Sequence, residues 1–357
     1  MVDYRFELYD HNQNKVADLT GLARNRSYTL VRNGVDEVSF DMDLKEFQKL
    51  ALSIGYHPRE LLKKYSADVK VKRNDKYMVG AEVVSVPGRI SGDNITITVR
   101  CDGYLNMFKD RFITKTFTQV DRAEIARGMI DWSQKNGTSS YIDRYDFGVR
   151  NGPQQTYSTA LSDRDFKKQN IKNELINSTE LLTGQYDFDF TPFRLFNTYD
   201  SIGSVRDDYT FKYPVNIVNA TIDDDASTLA NEVFGIGSGL GSEALSASYY
   251  DPLSSLNYKI RQKIETFSNV QLQSTVEEKT QAAVRKYREV LLIPQIEVNG
   301  VDFDLNVIGK GDIIPIDFSD VTYYDALLAL YRIEKIKVNI DDNNNEKIFV
   351  TLDAVDY

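Results

Sequence analysis

The chain has 357 residues, enough for two or three domains that each bury a core of their own. Its 43 Lys and Arg against 53 Asp and Glu leave a net charge of −10, which argues against a general nucleic-acid groove and against an anionic membrane surface as the main partner. A single Cys and two His exclude an intrachain disulfide and leave almost nothing for a zinc site built from those residues. The visible surplus is aromatic: 22 Tyr and 18 Phe against one Trp.

Met1–Phe6 has no apolar signal region, and no window approaches the roughly 18 apolar residues of a membrane helix, so a soluble chain made in a reducing cytoplasm is expected. Apolar residues at every second position predict strands with one buried face. They occur at Tyr4, Phe6 and Leu8, at Val38, Phe40 and Met42, and at Val69 and Val71. Val79, Ala81 and Val83 follow, then Ile95, Ile97 and Val99. Asn33-Gly34, between Tyr28–Val31 and Val38–Met42, predicts a hairpin. Asp43–Lys64 interrupts with helical spacing at Phe47, Leu50, Ala51, Leu61 and Leu62, and Pro58 is suited to open the second short helix. The region reads as a small barrel or sandwich.

From 113 the pattern changes. Asp121-Arg122-Ala123-Glu124 has the form of a capping box, and Ile125, Met129 and Trp132 continue one helical face towards a stop at Asn136-Gly137. Ser162-x-x-Asp165 predicts the cap of a longer helix reaching about Thr183, with Ile171, Leu175, Thr179 and Leu182 as its stripe and Gly184 beyond its end. The polar, Tyr-rich Tyr141–Tyr157 reads as a loop.

Strands resume at Tyr186–Phe190, Phe193–Tyr199 and Asn216–Ile222. The Gly/Ser-rich stretch Gly235–Ser242 is the best linker candidate in the chain. Residues 251–290 read as helical, with Val276, Thr280, Ala283 and Tyr287 on one face of a helix from Thr275 to Leu291. From Ile296 the pattern is β again, through Ile313–Phe318, Ile336–Ile340 and Ile348–Leu352, with Asp341–Glu346 as a hairpin loop. No sequence repeat at the roughly 20–50-residue periods of solenoids is visible.

Chemistry-bearing patterns are scarce. The alternating glycines of Gly235–Gly241 lack the lysine and the following helix of a phosphate cradle. Asp223–Asp225 and Asp341-Asp342 lack the spacing of a calcium loop and read as solvated turn acids. His11 sits in a turn, His57 precedes Pro58, and Cys101 ends an alternating strand, so surface or structural roles are expected for all three. No spacing singles out a carboxylate pair for glycoside hydrolysis, and Tyr-rich loops suit either a sugar platform or, more simply, β cores and subunit interfaces. No catalytic, cofactor-binding or metal-binding residue is therefore assigned.

Four stretches, in this order, resemble the baseplate hub, or tail-hub, proteins of tailed bacteriophages, which are related to the N-terminal hub of siphophage tail-associated lysins. They are Tyr28–Phe40, Arg111–Thr118 with Asp121–Trp132, Lys212–Ile217 through Thr228–Val233, and Gly311-Asp312-Ile313 with Tyr331–Ile333 and Asn345–Leu352. The resemblance implies an α+β, mainly β fold: two tube-like antiparallel β-barrel domains with two α-containing insertions. The first barrel is expected at 1–112, a helical insertion at 113–189, the second barrel at 190–240 and 295–357, and a helix-containing insertion at 241–294.

The resemblance also implies a non-enzymatic homotrimer with pseudo-sixfold symmetry at the virion tail tip, assembled in the host cytoplasm. Its partners would be distal tail or tube proteins, a tape-measure protein and a separate tip, spike or fibre protein. DNA would pass through its channel without specific binding, and no membrane insertion is expected. An acidic lining would repel DNA and let it slide. The family's lysins carry further C-terminal modules, so any lytic activity is expected from another polypeptide. A tail-tip enzyme degrading peptidoglycan or glycans and a receptor-binding adhesin remain the alternative readings.

Overall fold

The computed structural model describes residues 2–135, 146–153, 161–179, 185–239, 241–268, 270–290, 292–300, 303–324 and 328–355. Asn136-Gly137, Leu182, Gly184 and most of Tyr141–Tyr157 lie outside them.

Where apolar residues alternate, strands form. The first β unit contains β1 (Tyr4–Tyr9), β2 (Lys15–Asp18), β3 (Arg24–Val31) and β4 (Glu37–Asp43). Helices α1 (Leu44–Ser53) and α2 (Pro58–Leu61) follow, then β5 (Asp68–Arg73), β6 (Lys76–Ser85), β7 (Gly88–Ser91) and β8 (Asn94–Gly103). The Asp43 side chain caps α1 by accepting from the Glu46 amide, and Pro58 stands in the first turn of α2. The expected hairpin joins β3 to β4, with Asn33 at φ 50°.

The first insertion comprises β9 (Phe112–Asp121), α3 (Arg122–Lys135), β10 (Arg150–Asn151), β11 (Leu161–Asn170), α4 (Ile171–Thr179), β12 (Asp187–Phe190) and β13 (Leu195–Tyr199). After β14 (Phe211–Lys212) and β15 (Ile217–Asp224) comes the second insertion. It contains β16 (Glu232–Ile236), β17 (Ser246–Tyr250), α5 (Pro252–Tyr258), β18 (Gln262–Thr266) and α6 (Gln273–Tyr287). The chain returns to β structure through β19 (Leu292–Val298), β20 (Ile313–Asp317), β21 (Leu328–Ile340) and β22 (Glu346–Ala354).

One sheet runs through both β units in the order β15-β19-β22-β21-β3-β4-β8-β6-β5-β1-β2, with β7 on β8, β20 on β21 and β14 on β20. The units meet where β21 pairs antiparallel with β3, from Lys335 opposite Val31 to Ile340 opposite Arg26. A single apolar core lies under this junction, from Tyr4, Phe6 and Phe40 on one side to Ile336, Val338 and Val350 on the other. The first insertion buries its own core, where Phe188, Phe190 and Phe196 pack ring on ring. Much of the aromatic surplus is thus core: Tyr4, Tyr28, Tyr104, Tyr186 and seven Phe side chains are among the largest fully buried ones.

Three differences from the sequence reading have physical causes. Ser162-x-x-Asp165 does not cap a helix, because Leu161–Asn170 is a strand paired with β9. Asp163 accepts from the Gln119 amide and Asp165 from the Thr116 hydroxyl, so both acids serve the hairpin. Helix α4 starts later, capped by Asn170, which accepts from the Asn173 amide.

The strands Asp187–Phe190 and Leu195–Tyr199 pair with each other, and the second of them with β10, on the core of the first insertion. Glu232–Ile236 is the central strand of the second insertion, between β17 and β18. The linker reading of Gly235–Ser242 is corrected too (Leu240 lies outside the described residues). A Cβ at Gly235 would stand 1.8 Å from the Thr280 hydroxyl, and one at Gly237 2.6 Å from a Val276 methyl, so these glycines let β16 press against α6. Finally, 251–290 is not all helical, since β18 separates α5 from α6.

Candidate functional site: a polar sheet face and its charged junctions

Because side chains alternate, burying Val38, Phe40, Met42, Val99, Val338 and Ile348 turns the residues between them to the other face of the sheet. That face is polar across both units and carries both signs of charge. Glu37, Asp41, Asp223 and Glu297 share it with Arg100, Lys335, Lys337 and Lys347. Asp41 accepts from the Thr98 hydroxyl at 2.6 Å and from Asn25 at 2.8 Å, and Lys347 reaches Glu297 at 3.1 Å. The acidic excess of the chain is therefore not gathered here.

Buried charges tie the first insertion to the sheet. Asp68 on β5 takes both prongs of the Arg194 guanidinium, at 2.7 and 3.0 Å, and also accepts from the Tyr104 hydroxyl and Gln13. Arg194 stands in the β12–β13 turn at φ 61°. Beside this pair the Lys70 ammonium lies between the rings of Tyr9 and Phe193, 3.9 and 4.1 Å from their centroids. Burial pushes its pKa down to about 8. Burial, with Asp68 nearby, pushes the Glu82 carboxyl up to about 7. Gly80 makes room here: a Cβ would meet the Pro192 carbonyl and the Tyr104 hydroxyl at 2.7 Å.

A second junction grows from the β3–β4 hairpin. Arg32 forks onto Asp187 at 2.7 and 3.0 Å and reaches Glu334 at 2.7 Å, so one guanidinium links both β units and the insertion. Asn33 donates to Asp187 and accepts from the Phe188 amide. Lys310 bridges Asp36 and Asp189 at 3.2 and 2.8 Å. Burial raises the Asp36 carboxyl to about 6, with Lys310 opposing and Asp189 adding to the rise. Between the β units, Arg73 grips Glu346 at 2.6 and 3.0 Å, and the Tyr4 hydroxyl donates to the same carboxylate.

A cavity of about 560 Å³ opens between the two insertions, lined among others by Arg122, Arg164, Glu174, Phe267 and Lys279. Burial raises the Glu174 carboxyl against the pull of Lys279 and Arg164. Arg122 crosses to Glu278 on α6 at 2.9 Å.

The residues weighed from sequence stay apart. His11 is in the β1–β2 turn, and the His57 ring accepts from the Arg59 amide at the start of α2. Cys101 is buried on β8, its thiol held well above the ordinary value by burial. Asp225 caps its own turn through Ser227, and Asp341 accepts from the amides of Asn343 and Asn345. Among the described residues, no group of three or more His, Cys, Asp or Glu could hold a metal ion, and no helix is long and apolar enough to cross a membrane. The junction charges were missed because Asp68 and Arg194 are 126 positions apart. The available signal was β5 itself, where Asp68 and Lys70 alternate with Val69 and Val71 and all four are buried.

No protein-family model matches the chain, and no curated protein matches it by sequence. Solved structures do. A 43 kDa tail protein of prophage MuSo2 from Shewanella oneidensis aligns over 99% of this chain and 98% of its own, with a TM-score of 0.69 at 12% identity. A tail protein from Neisseria meningitidis MC58 aligns over 98% and 96%, with a TM-score of 0.64 at 11% identity. The prophage tail protein gp18 from Listeria monocytogenes EGD-e aligns over 98% and 94%, with a TM-score of 0.57 at 13% identity. Nearly end to end, this mainly β chain has the fold of phage tail proteins, the kind of fold that the resemblance to baseplate hubs implies.

Proposed function

We propose that the chain is a structural hub at the tip of a phage-type tail and lies in the virion. Three copies make a pseudo-sixfold ring from six β units, join the tail tube and tape-measure protein to a separate tip, spike or fibre protein, and leave a channel for DNA. The observation that carries this reading is the single sheet joined across two β units, in a fold matching tail proteins over nearly its whole length. The two barrels expected from the sequence, at 1–112 and at 190–240 with 295–357, remain part of the proposal, with β13 going to the first insertion and β16 to the second.

The polar face lines the channel. Its mixed charges replace the expected acidic lining: with no positive excess there is no array of phosphate clamps, so a duplex slides. A ring whose lumen is strongly positive overturns the DNA-passage part of this reading. The role is scaffolding rather than catalysis, and the buried junction charges hold the units in one relative orientation.

The test is immunogold labelling of tail particles from the source of the gene. Label at the distal end of the tail is expected. Label along the tube, or on no particle, overturns the hub reading.

A further inference from the structure

Four strands of each β unit repeat one another. β3, β4, β6 and β8 stand side by side as β3-β4-β8-β6, and β15, β19, β21 and β22 stand as β15-β19-β22-β21. In both, the fourth strand in chain order lies between the second and the third. The register repeats as well. β6 bulges against β8 between Val83 and Ser85, and β21 bulges against β22 between Ile333 and Lys335. Beyond the bulge, Gly88 opposite Ile97 and Ile90 opposite Ile95 correspond to Val338 opposite Ile348 and Ile340 opposite Glu346. On the far side, the row Ser27–Ser39–Arg100–Ser85 corresponds to Thr221–Gln295–Thr351–Lys335.

In this correspondence β3 matches β15, and the second half of β21 matches Ser85–Ile90. Yet β21 and β3 are joined to each other, while their counterparts are both edges. Among the described residues β15 has only β19 as a strand partner, and β7 has only β8. Both edges expose apolar side chains, Val218 at 53% and Ile90 at 74%. Nor does Pro87 block the edge. Its carbonyl accepts from the Thr98 amide, so its missing N–H faces β8, and Val86, Gly88 and Ile90 turn their amides outward. The β21–β3 junction has the same parity: the Arg32 amide donates to the Glu334 carbonyl, which makes Val338 and Tyr28 an outward-facing bonded pair.

We propose that β15 of one copy of this chain pairs antiparallel with the Ser85–Ile90 edge of a second copy, repeating between chains the junction that β21 and β3 make within one. The register is Val86 opposite Asp224, Gly88 opposite Ile222, Arg89 opposite Thr221 and Ile90 opposite Ala220. Arg89 then lies diagonal to Asp223 on the polar face, an opposite-charge pair. The contact uses different edges on the two partners, so it propagates from chain to chain and ends only by closing into a ring. The inference deepens the hub reading, on which it rests for that closure.

The test is a pair of cysteines at one proposed cross-strand position, Arg89→Cys with Thr221→Cys, in the full chain carrying Cys101→Ala. These two residues form a non-hydrogen-bonded pair, the closer of the two antiparallel spacings, at which a disulfide fits. Under mild oxidation at high protein concentration, chains linked between copies and closing into a trimer are expected, while Arg89→Cys with Asp224→Cys, out of register, links far less. A companion variant, Ala220→Pro, removes an outward amide without touching the β15–β19 ladder. It should leave the thermal unfolding midpoint unchanged and abolish the assembly.

An in-register pair that stays monomeric on oxidation overturns the proposal. So does a ring seen by electron microscopy that assembles without linking at this pair, which leaves the hub reading standing. Linked chains that grow as open filaments keep the junction and overturn the hub.

Discussion

The two insertions are held in different ways. The first is locked to the sheet by Asp68–Arg194, Arg32–Asp187 and Lys310–Asp189, and its core spans Tyr104 to Phe196. The second has a buried cluster of Ala230, Val233 and Val284, exposes Leu253, Leu256, Ile260 and Ile264, and reaches the first through Arg122–Glu278. Buried ion pairs are poor sources of net stability, but breaking one strands a charge, so they penalise any other arrangement of the parts. The first insertion is therefore part of one rigid body with the sheet. The second is a small unit whose opening costs less than global unfolding.

The largest expected effect separates the two. Arg194→Ala leaves Asp68 charged, buried and without its fork, and should cost about 3–5 kcal/mol in urea unfolding of the whole protein. A loss below about 1 kcal/mol would mean that the first insertion is not locked through this pair.

Next comes pH. The Glu82 carboxyl, beneath the same insertion, is raised from 4.5 to about 7 in the folded state. Its contribution is complete below pH 4.5 and is lost as pH rises through 7, a change of about 3 kcal/mol. Glu82→Gln should flatten denaturation midpoints across that window, and an unchanged slope would remove Glu82 as the cause.

Gly235→Val should cost about 1–3 kcal/mol by forcing α6 off β16. Hydrogen exchange should quicken in β16–β18 and stay unchanged in β3 and β4. Equal quickening in both would show that the second insertion does not open independently of the large sheet. The smallest effect is expected for Lys70→Met, within about 1 kcal/mol at pH 7, because an apolar side chain of similar length replaces a buried cation. Lys70 is lowered from 10.5 to about 8, so its penalty is relieved as pH rises between those values. The variant should lose that rise in stability.

Local signals were legible in the sequence. Asn33-Gly34, Pro58 and Asp341–Glu346 act through turn and cap geometry within a few residues, and the structure places each as expected. Alternation found most strands of the large sheet for the same reason. The strands β11, β17 and β18 escaped because their side chains are mostly exposed or half-buried, which leaves no apolar alternation to read. Gly235 was misread because a glycine that admits a neighbouring helix looks the same in sequence as one that frees a loop. The internal repeat was invisible because a strand needs apolar residues at alternate positions, not particular ones: Cys101 and Leu352 hold equivalent places opposite the two bulges. The junction pairs lie beyond any local window.

The pairing of Tyr28 with Val338 sets a timetable for synthesis. β3 leaves the ribosome long before its neighbour β21 exists. At about 5–20 residues per second, the interval is roughly 15–60 s. During that time the nascent N-terminal half presents an unpaired strand of the kind that recruits other chains. The same strand chemistry that would build a ring from finished copies is thus a hazard in unfinished ones, and a chaperone that shields Arg24–Val31 would raise the yield of native protein more than one acting on the completed chain.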